Sequence, residues 1–465
     1  MKNTIIIFAL MIFLTGSALA QTTKATKAER KPRTFPAIDS AAKNRQAHRP
    51  VRTNPYNSLE EALKDAPNLT RLSLSGKKLT ELSSKISEFT KIETLDLTGN
   101  QLSTLPQELS ALTSLKEIKL GRNKFTDFPQ IITQCQSLQT IDLSDNKIKS
   151  LPSTISRLTN LKILKLAKNE LSNLPAEISG LKNLKILDLD FNLFAEFPEP
   201  VGNITSLENL NLSGNKIREI GPSIGNLVNV KRFFIAANQI SALPREIGKM
   251  KMLADLDLQK NNLSTFPQEI SGLSTLKSLN LSNNKLTSLP ESISDLSKLE
   301  TLYLSFNQSI GFPAQLTKLA NLTKLVMNNV PIKKLPETIG NMKKLKTIEI
   351  SSCELTELPK ELFEIKSLNS LDAAKNKLKS LPSVAGAEGL NSLKLDNNEI
   401  ESLPADITSL QNLRTITVNN NKLIKLPQNI DKMTNLKVLQ VRKNSFSESE
   451  QEAIKKQLPN LKLAF

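Results

Sequence analysis

From Leu69 onward the apolar positions fall into one frame of about 23 residues, L-x-x-L-x-L-x-x-N-x-L-x-x-L-P-x-x-I-x-x-L-x-x, begun sixteen times, with a truncated seventeenth from Leu436. In one copy Leu161, Leu164, Leu166, Asn169, Leu171, Leu174, Pro175, Ile178 and Leu181 hold its fixed slots. The L-x-L core alternates with period two, so each copy predicts a short strand with one buried face. Pro fixes its own φ and keeps the preceding Leu extended, and the Ile and Leu that follow predict a short helical segment. Acids after that Pro, such as Glu108, Glu177 and Glu246, suit a helical N-terminus and read as structural. Slot nine is Asn in 14 of 17 copies, as expected for an amide that satisfies backbone groups orphaned at the bend.

The frame resembles the leucine-rich repeat, a fixed-period signature of solenoids. The expected fold class is α/β: a leucine-rich repeat solenoid (curved horseshoe) with a parallel concave sheet of about 17 strands. Short helical or 3-10 segments form its convex side, and helical N- and C-terminal caps close it. Strands spaced about 4.8 Å apart give a concave arc on the order of 80 Å, a surface of the kind such arrays use for binding. Ser58-Leu59-Glu60-Glu61 reads as a capping box opening a cap over 56–68, and the repeats span 69–446. A second box, Ser447 with Glu450, opens the cap over 447–465, where Ala453, Ile454 and Leu458 share an apolar face and 461–465 can add a strand.

The chain ends and the composition change the picture in three ways. Met1–Ala20, with Lys2, an apolar run and the ending Ala18-Leu19-Ala20, reads as a Sec-type signal peptide, so the protein is expected to be secreted, with retention at the cell surface open. Residues 21–55 read as a disordered basic arm carrying nine Lys or Arg against Glu29 and Asp39, which leaves about +9 of the formal +17 on the repeats. No later stretch is apolar enough for a transmembrane segment. Cys135 and Cys353 fall ten copies apart, roughly 50 Å by strand spacing, too far to pair within one chain.

The single histidine, His48, lies in the arm, so the repeats hold no Ser-His-Asp or Cys-His constellation and no H-E-x-x-H zinc site. No nucleotide loop appears, no cofactor or metal is implied, and the protein is expected not to be an enzyme. The carboxylate pairs Asp188 with Asp190 and Asp255 with Asp257 have the spacing of outward strand positions and read as solvated surface. Leu335-Pro336-Glu337-Thr338 only imitates a wall-sorting signal, since Ile339 stands where Gly is needed.

Slots three, five, seven and eight are read as facing the concave side. Early slot-five residues alternate in charge (Asp96, Lys119, Asp142, Lys165, Asp188) and can satisfy one another. Further on, slot five becomes Phe234, Tyr303 and Val326, with Phe306 in slot eight and Arg232 and Lys324 in slot three as a rim. Exposed aromatics with basic neighbours are the expected partner-binding residues. The alternative is an acidic glycan or other polyanion following the slot-two row of Lys116, Lys162, Lys185, Lys231, Lys277, Lys346, Arg414 and Lys437. Nucleic acid is not expected, given export and the mixed charge of the sheet. The frame falters from Leu299 to Gly389: Ile310 comes one place late, and Val330 and Cys353 replace Asn; because Val330 cannot make the ladder's hydrogen bonds, a local change of curvature is expected there.

This form of the frame is similar to that of secreted bacterial leucine-rich repeat proteins, those of pathogenic spirochaetes in particular, and more loosely to the Ras-group scaffolds of eukaryotes. The resemblance is carried by Asn57-Ser58-Leu59-Glu60-Glu61-Ala62-Leu63 before the array and Asn444-Ser445-Phe446-Ser447 after it. It implies an exported binder of a host or cell-surface protein. The resemblance does not extend to the sorting tail of the internalin adhesins or the cysteine-bearing domain of the ubiquitin-ligase effectors, so wall anchoring and ligase activity are not expected.

Overall fold

The computed structural model describes residues 56–461 and 463–465. The signal peptide expected over 1–20 and the basic arm expected over 21–55 lie outside the described residues.

Seventeen three-residue strands, from Arg71–Ser73 to Val438–Gln440, form one parallel sheet in which each strand pairs with the next copy's. Register is one full frame throughout, for example Ile163↔Ile186 and Lys165↔Asp188. Beneath the sheet the fixed leucines close the core: Leu161, Leu164, Leu166, Leu171, Ile178 and Leu181 are all fully buried. On the convex side, Pro175 at φ −67° caps the 3-10 segment Ala176–Gly180, and most other copies repeat this arrangement.

The slot-nine asparagines bind neighbouring copies together. Asn169 Nδ2 donates to Leu166 O and to Leu143 O of the preceding copy, both at 3.0 Å, while its Oδ1 accepts from Ile148 N–H at 3.0 Å. One side chain thus satisfies three backbone groups at a buried bend, which explains why the slot is so uniform.

Slot eight behaves differently from the expected outward strand position. In all seventeen copies its residue is left-handed, with φ between 49° and 69°, whether it is Gly99, Arg122, Phe191 or Phe306. That turn points the slot-eight N–H at the next copy's slot-seven carbonyl, as in Lys168 N to Asp190 O at 2.8 Å, and extends the ladder beyond the strand. Gly, Asn or Asp, which tolerate this backbone, fill eight of the seventeen places, and the ladder imposes it on the remaining residues.

The faltering stretch keeps its register: Thr301↔Lys324↔Thr347↔Ser370 pair without a break. Other groups replace the missing amides. The Cys353 thiol donates to Met327 O at 3.0 Å, and the slot-seven side chains Ser305 and Asn328 accept from Asn328 N and Ser351 N.

At the first end, Ser58 Oγ accepts from Glu61 N–H at 3.2 Å and opens the helix Leu59–Ala62, whose Leu59 and Ala62 are buried. At the last, Ser447 caps Glu448–Gln457, and the Phe446 and Phe465 rings meet edge to face at 5.6 Å. The closing strand expected over 461–465 does not form among the described residues; Phe465 covers the core with its ring instead.

Candidate functional site

Concave curvature draws slot-five side chains on adjacent strands toward one another, and this decides which of the expected anchors face solvent. Phe234 is only 6% exposed and Val326 only 7%, so neither is the open anchor that the frame suggests. Val326 stands in register between Tyr303 and Glu349, and the larger neighbours cover it. Phe234 stands in register between Asn211 and Asp257, both buried like it.

The remaining expected residues do assemble. Tyr303 is half-buried, with Lys324 Nζ 5.7 Å from its ring centroid, and Lys324 is fixed in turn by Glu349 at 3.0 Å. Arg232 Nε lies 3.5 Å from Asp255 and is half-buried on the same face, three strands away. Phe306 is 47% exposed at φ 61°, beside Tyr303 in the same copy. A phenylalanine here is costly twice, once in backbone conformation and once in apolar surface left in water.

A second residue shares that condition and was missed by slot-five reasoning. Phe191, also in slot eight, is 43% exposed at φ 49°, and its ring lies across Gly214, whose added Cβ would stand 2.9 Å from it. Leu193 beside it is exposed as well. The signal was present in the frame: an aromatic in slot eight, five copies before Phe306 and about 24 Å away by strand spacing.

Each carboxylate pair has one buried member, contrary to the expectation of solvated surface from their spacing. Asp190 and Asp257 are buried. Slot-five acids cap the turn that follows: Asp257 Oδ1 accepts from Gln259 N–H at 3.1 Å and Asp188 Oδ1 from Asp190 N–H at 3.3 Å. Burial first, and then the charge of Asp190, push the Asp188 carboxyl up to about 7; Asp190 is also raised by its own burial. The arrangement stabilises a bend and offers no open site between the two oxygens.

The slot-two row is a mixed row. Lys116 pairs with Glu93 at 2.7 Å, Lys185 and Lys231 share Glu208 at 3.3 and 2.8 Å, and Lys277 meets Glu300 at 3.5 Å. Lys162 donates to Gln139 at 3.0 Å, while Lys346, Arg414 and Lys437 are exposed further along. Four of the eight cations expected to follow a polyanion therefore pair with three acids of their own row, which weakens the field such a ligand needs. No described helix is long and apolar enough to cross a membrane.

A family model described as "Leucine-rich repeat region" matches 107–193, 141–219, 218–329 and 268–354, together more than half of the chain, and "Leucine rich repeat" matches 67–125. The chain belongs to the leucine-rich repeat family. Among solved structures it is similar to a leucine-rich repeat protein of Leptospira interrogans, with 32% identity, 89% of this chain and 100% of that one covered, and a TM-score of 0.77. The functional domain of InlJ from Listeria monocytogenes aligns at 21% identity over 82% of this chain and 74% of that one, with a TM-score of 0.60. The Arabidopsis receptor kinase HAESA, solved with the peptide hormone IDA and the co-receptor SERK1, aligns at 23% over 81% and 74%, with a TM-score of 0.53. The last two share the fold alone. No curated protein matches the chain.

Proposed function

We propose that the repeat body is a non-enzymatic protein-binding module of an exported protein, and that it engages a host or cell-surface protein through its concave face. The observation that carries this reading is Phe306, an aromatic ring held open to solvent on a left-handed backbone beside the half-buried Tyr303. The position is costly in backbone conformation and in exposed apolar area, and interface hot spots are enriched in tyrosine and arginine, which Tyr303 and Arg232 supply nearby. Lys324 steers the Tyr303 ring, Arg232 extends the polar rim, and Phe191 supplies a second anchor further along the sheet. Phe234 and Val326 support the face from below as packing. Export rests on the apolar run and small-residue ending of Met1–Ala20.

The test uses a partner isolated with the wild-type chain from extracellular matrix or cell-surface extract. Its affinity is then measured against Tyr303→Ala/Phe306→Ala, with circular dichroism confirming that the array is intact. A loss of about tenfold or more supports the site. Unchanged affinity removes these residues from it.

A further inference from the structure

One edge of the sheet carries a second irregularity. At the last slot of the frame, Asn, Ser or Thr repeatedly donates to a carbonyl of the copy before: Asn183 to Thr159 O at 2.8 Å, Asn229 to Thr205 O at 2.9 Å, Thr275 to Lys251 O at 2.7 Å. This ladder ties neighbouring copies along the strand-entry edge. Residue 252 belongs to it by register and would reach Val228 O, but it is Met252, which cannot donate. Both Met252 and Val228 are exposed, at 47% and 42%. Two residues later Ala254 takes a place that Lys231 and Lys277 fill in the flanking copies, so the edge dips.

The dip is a recess of about 480 Å³, with Met252 and Ala254 in its lining between Lys231 and Arg232 on one side and Lys277 and Lys298 on the other. Glu208 and Asp255 are the only acids in that lining, so two positive charges are in excess. Two of the existing pairs are long and one is close, at 2.8 Å between Lys231 and Glu208. Glu208, kept below the usual carboxylate range by the Lys231 hydrogen bond, is shared between Lys185 and Lys231; Arg232 and Lys277 hold their partners at 3.5 Å with both sides half-exposed. Long, half-exposed pairs contribute little to stability, so Arg232 and Lys277 can turn to an incoming carboxylate, and Lys298 adds a further cation in the lining.

We infer that this edge recess binds an acidic segment of a polypeptide partner, with an apolar side chain seated on Met252 and Ala254 and carboxylates between Lys277, Lys298 and Lys231. The inference rests on the reading of the array as a protein-binding module, but it uses a different face and a different charge logic. Two features meet here: an exposed apolar residue in a slot that often carries the edge ladder's donor, and an excess of cations around that apolar surface. Charge complementarity selects the acidic occupant, and the exposed thioether, a soft adaptable contact, selects the apolar one.

The full chain carries seven methionines, so methyl-13C-methionine labelling gives a sparse spectrum in which Met252→Leu identifies one signal. The probe is the blocked peptide Leu-Glu-Leu-Glu, titrated beside its glutamine counterpart. The Met252 methyl should shift saturably with the acidic peptide and not with the neutral one. Affinity should fall about fivefold or more as salt is raised severalfold, and about tenfold in Lys277→Gln/Lys298→Gln. Lys346→Gln/Lys437→Gln, on the same edge but away from the recess, should leave it unchanged. An unmoved Met252 signal, equal shifts with both peptides, or full binding by the Lys277/Lys298 variant overturns the inference. Because Phe306 plays no part, a Tyr303→Ala/Phe306→Ala chain that loses its protein partner yet keeps this shift separates failure of one site from failure of the other.

Discussion

The side-chain amide of Asn211 donates to Asp188 Oδ1 at 3.0 Å from the next strand, in direct register. That hydrogen bond and Lys165 favour the carboxylate, yet burial and the charge of Asp190 outweigh them and hold Asp188 near 7. Because the folded protein binds this proton more tightly than the unfolded chain, the contribution to stability is complete below the ordinary Asp pKa of about 4 and is lost as pH rises toward 7. Asp188→Asn removes the penalty and keeps an acceptor for Asp190 N–H, as Asn211 does for Ser213 N–H at 3.1 Å. The variant should be more stable than wild type by about 1 kcal/mol or more at pH 8 and by much less near pH 4, read from urea midpoints. An advantage that does not change with pH contradicts the assignment.

Asn169→Ala should lower stability by about 2–3 kcal/mol, since it strands the buried carbonyls of Leu143 and Leu166 and the N–H of Ile148. An exposed amide at the strand-entry edge, Asn183, makes one bond to Thr159 O, and Asn183→Ala should cost under about 1 kcal/mol. Denaturant unfolding of the two variants checks the order.

Phe306→Gly should leave stability unchanged or raise it by up to about 1 kcal/mol, because glycine accepts φ 61° without strain. The same change should abolish the contribution of this position to partner binding. Phe306→Val, β-branched at a left-handed residue, should destabilise by about 1–2 kcal/mol. Opposite signs in stability and affinity at one residue are expected only where function retains the side chain.

Cys135 and Cys353 should resist a thiol reagent in the native protein at pH 8 and react fully after unfolding. Burial pushes both thiols up to about 11, and Cys353 is further occupied by Met327 O. Rapid labelling without denaturant would show that the copies around Val330 open readily.

The strands, the convex turns and the buried leucine frame were legible because each depends on its own residues: period two for the strand, Leu-Pro for the turn. Slot eight was not. Arg122, Phe191 and Ala237 share no preference for a left-handed backbone, and the ladder to the next copy imposes it. Burial on the concave face was hidden for a similar reason. Phe234 and Tyr303 occupy the same slot, yet one is covered and the other half-open, depending on what adjacent strands present. Spacing alone likewise placed Asp190 and Asp257 in solvent, because it carries no information about the neighbouring copy. Of the six expected anchors, Tyr303, Phe306, Arg232 and Lys324 keep a solvent-facing part, and Phe191 came into view once slot eight was seen as a class.

Concave-face engagement is tested most directly by photo-crosslinking from defined positions. A benzophenone side chain placed at Phe306 should capture the partner, and the same group at Ser156, in the convex segment Ser153–Arg157, should not. Capture from Ser156 with none from Phe306 would contradict the account.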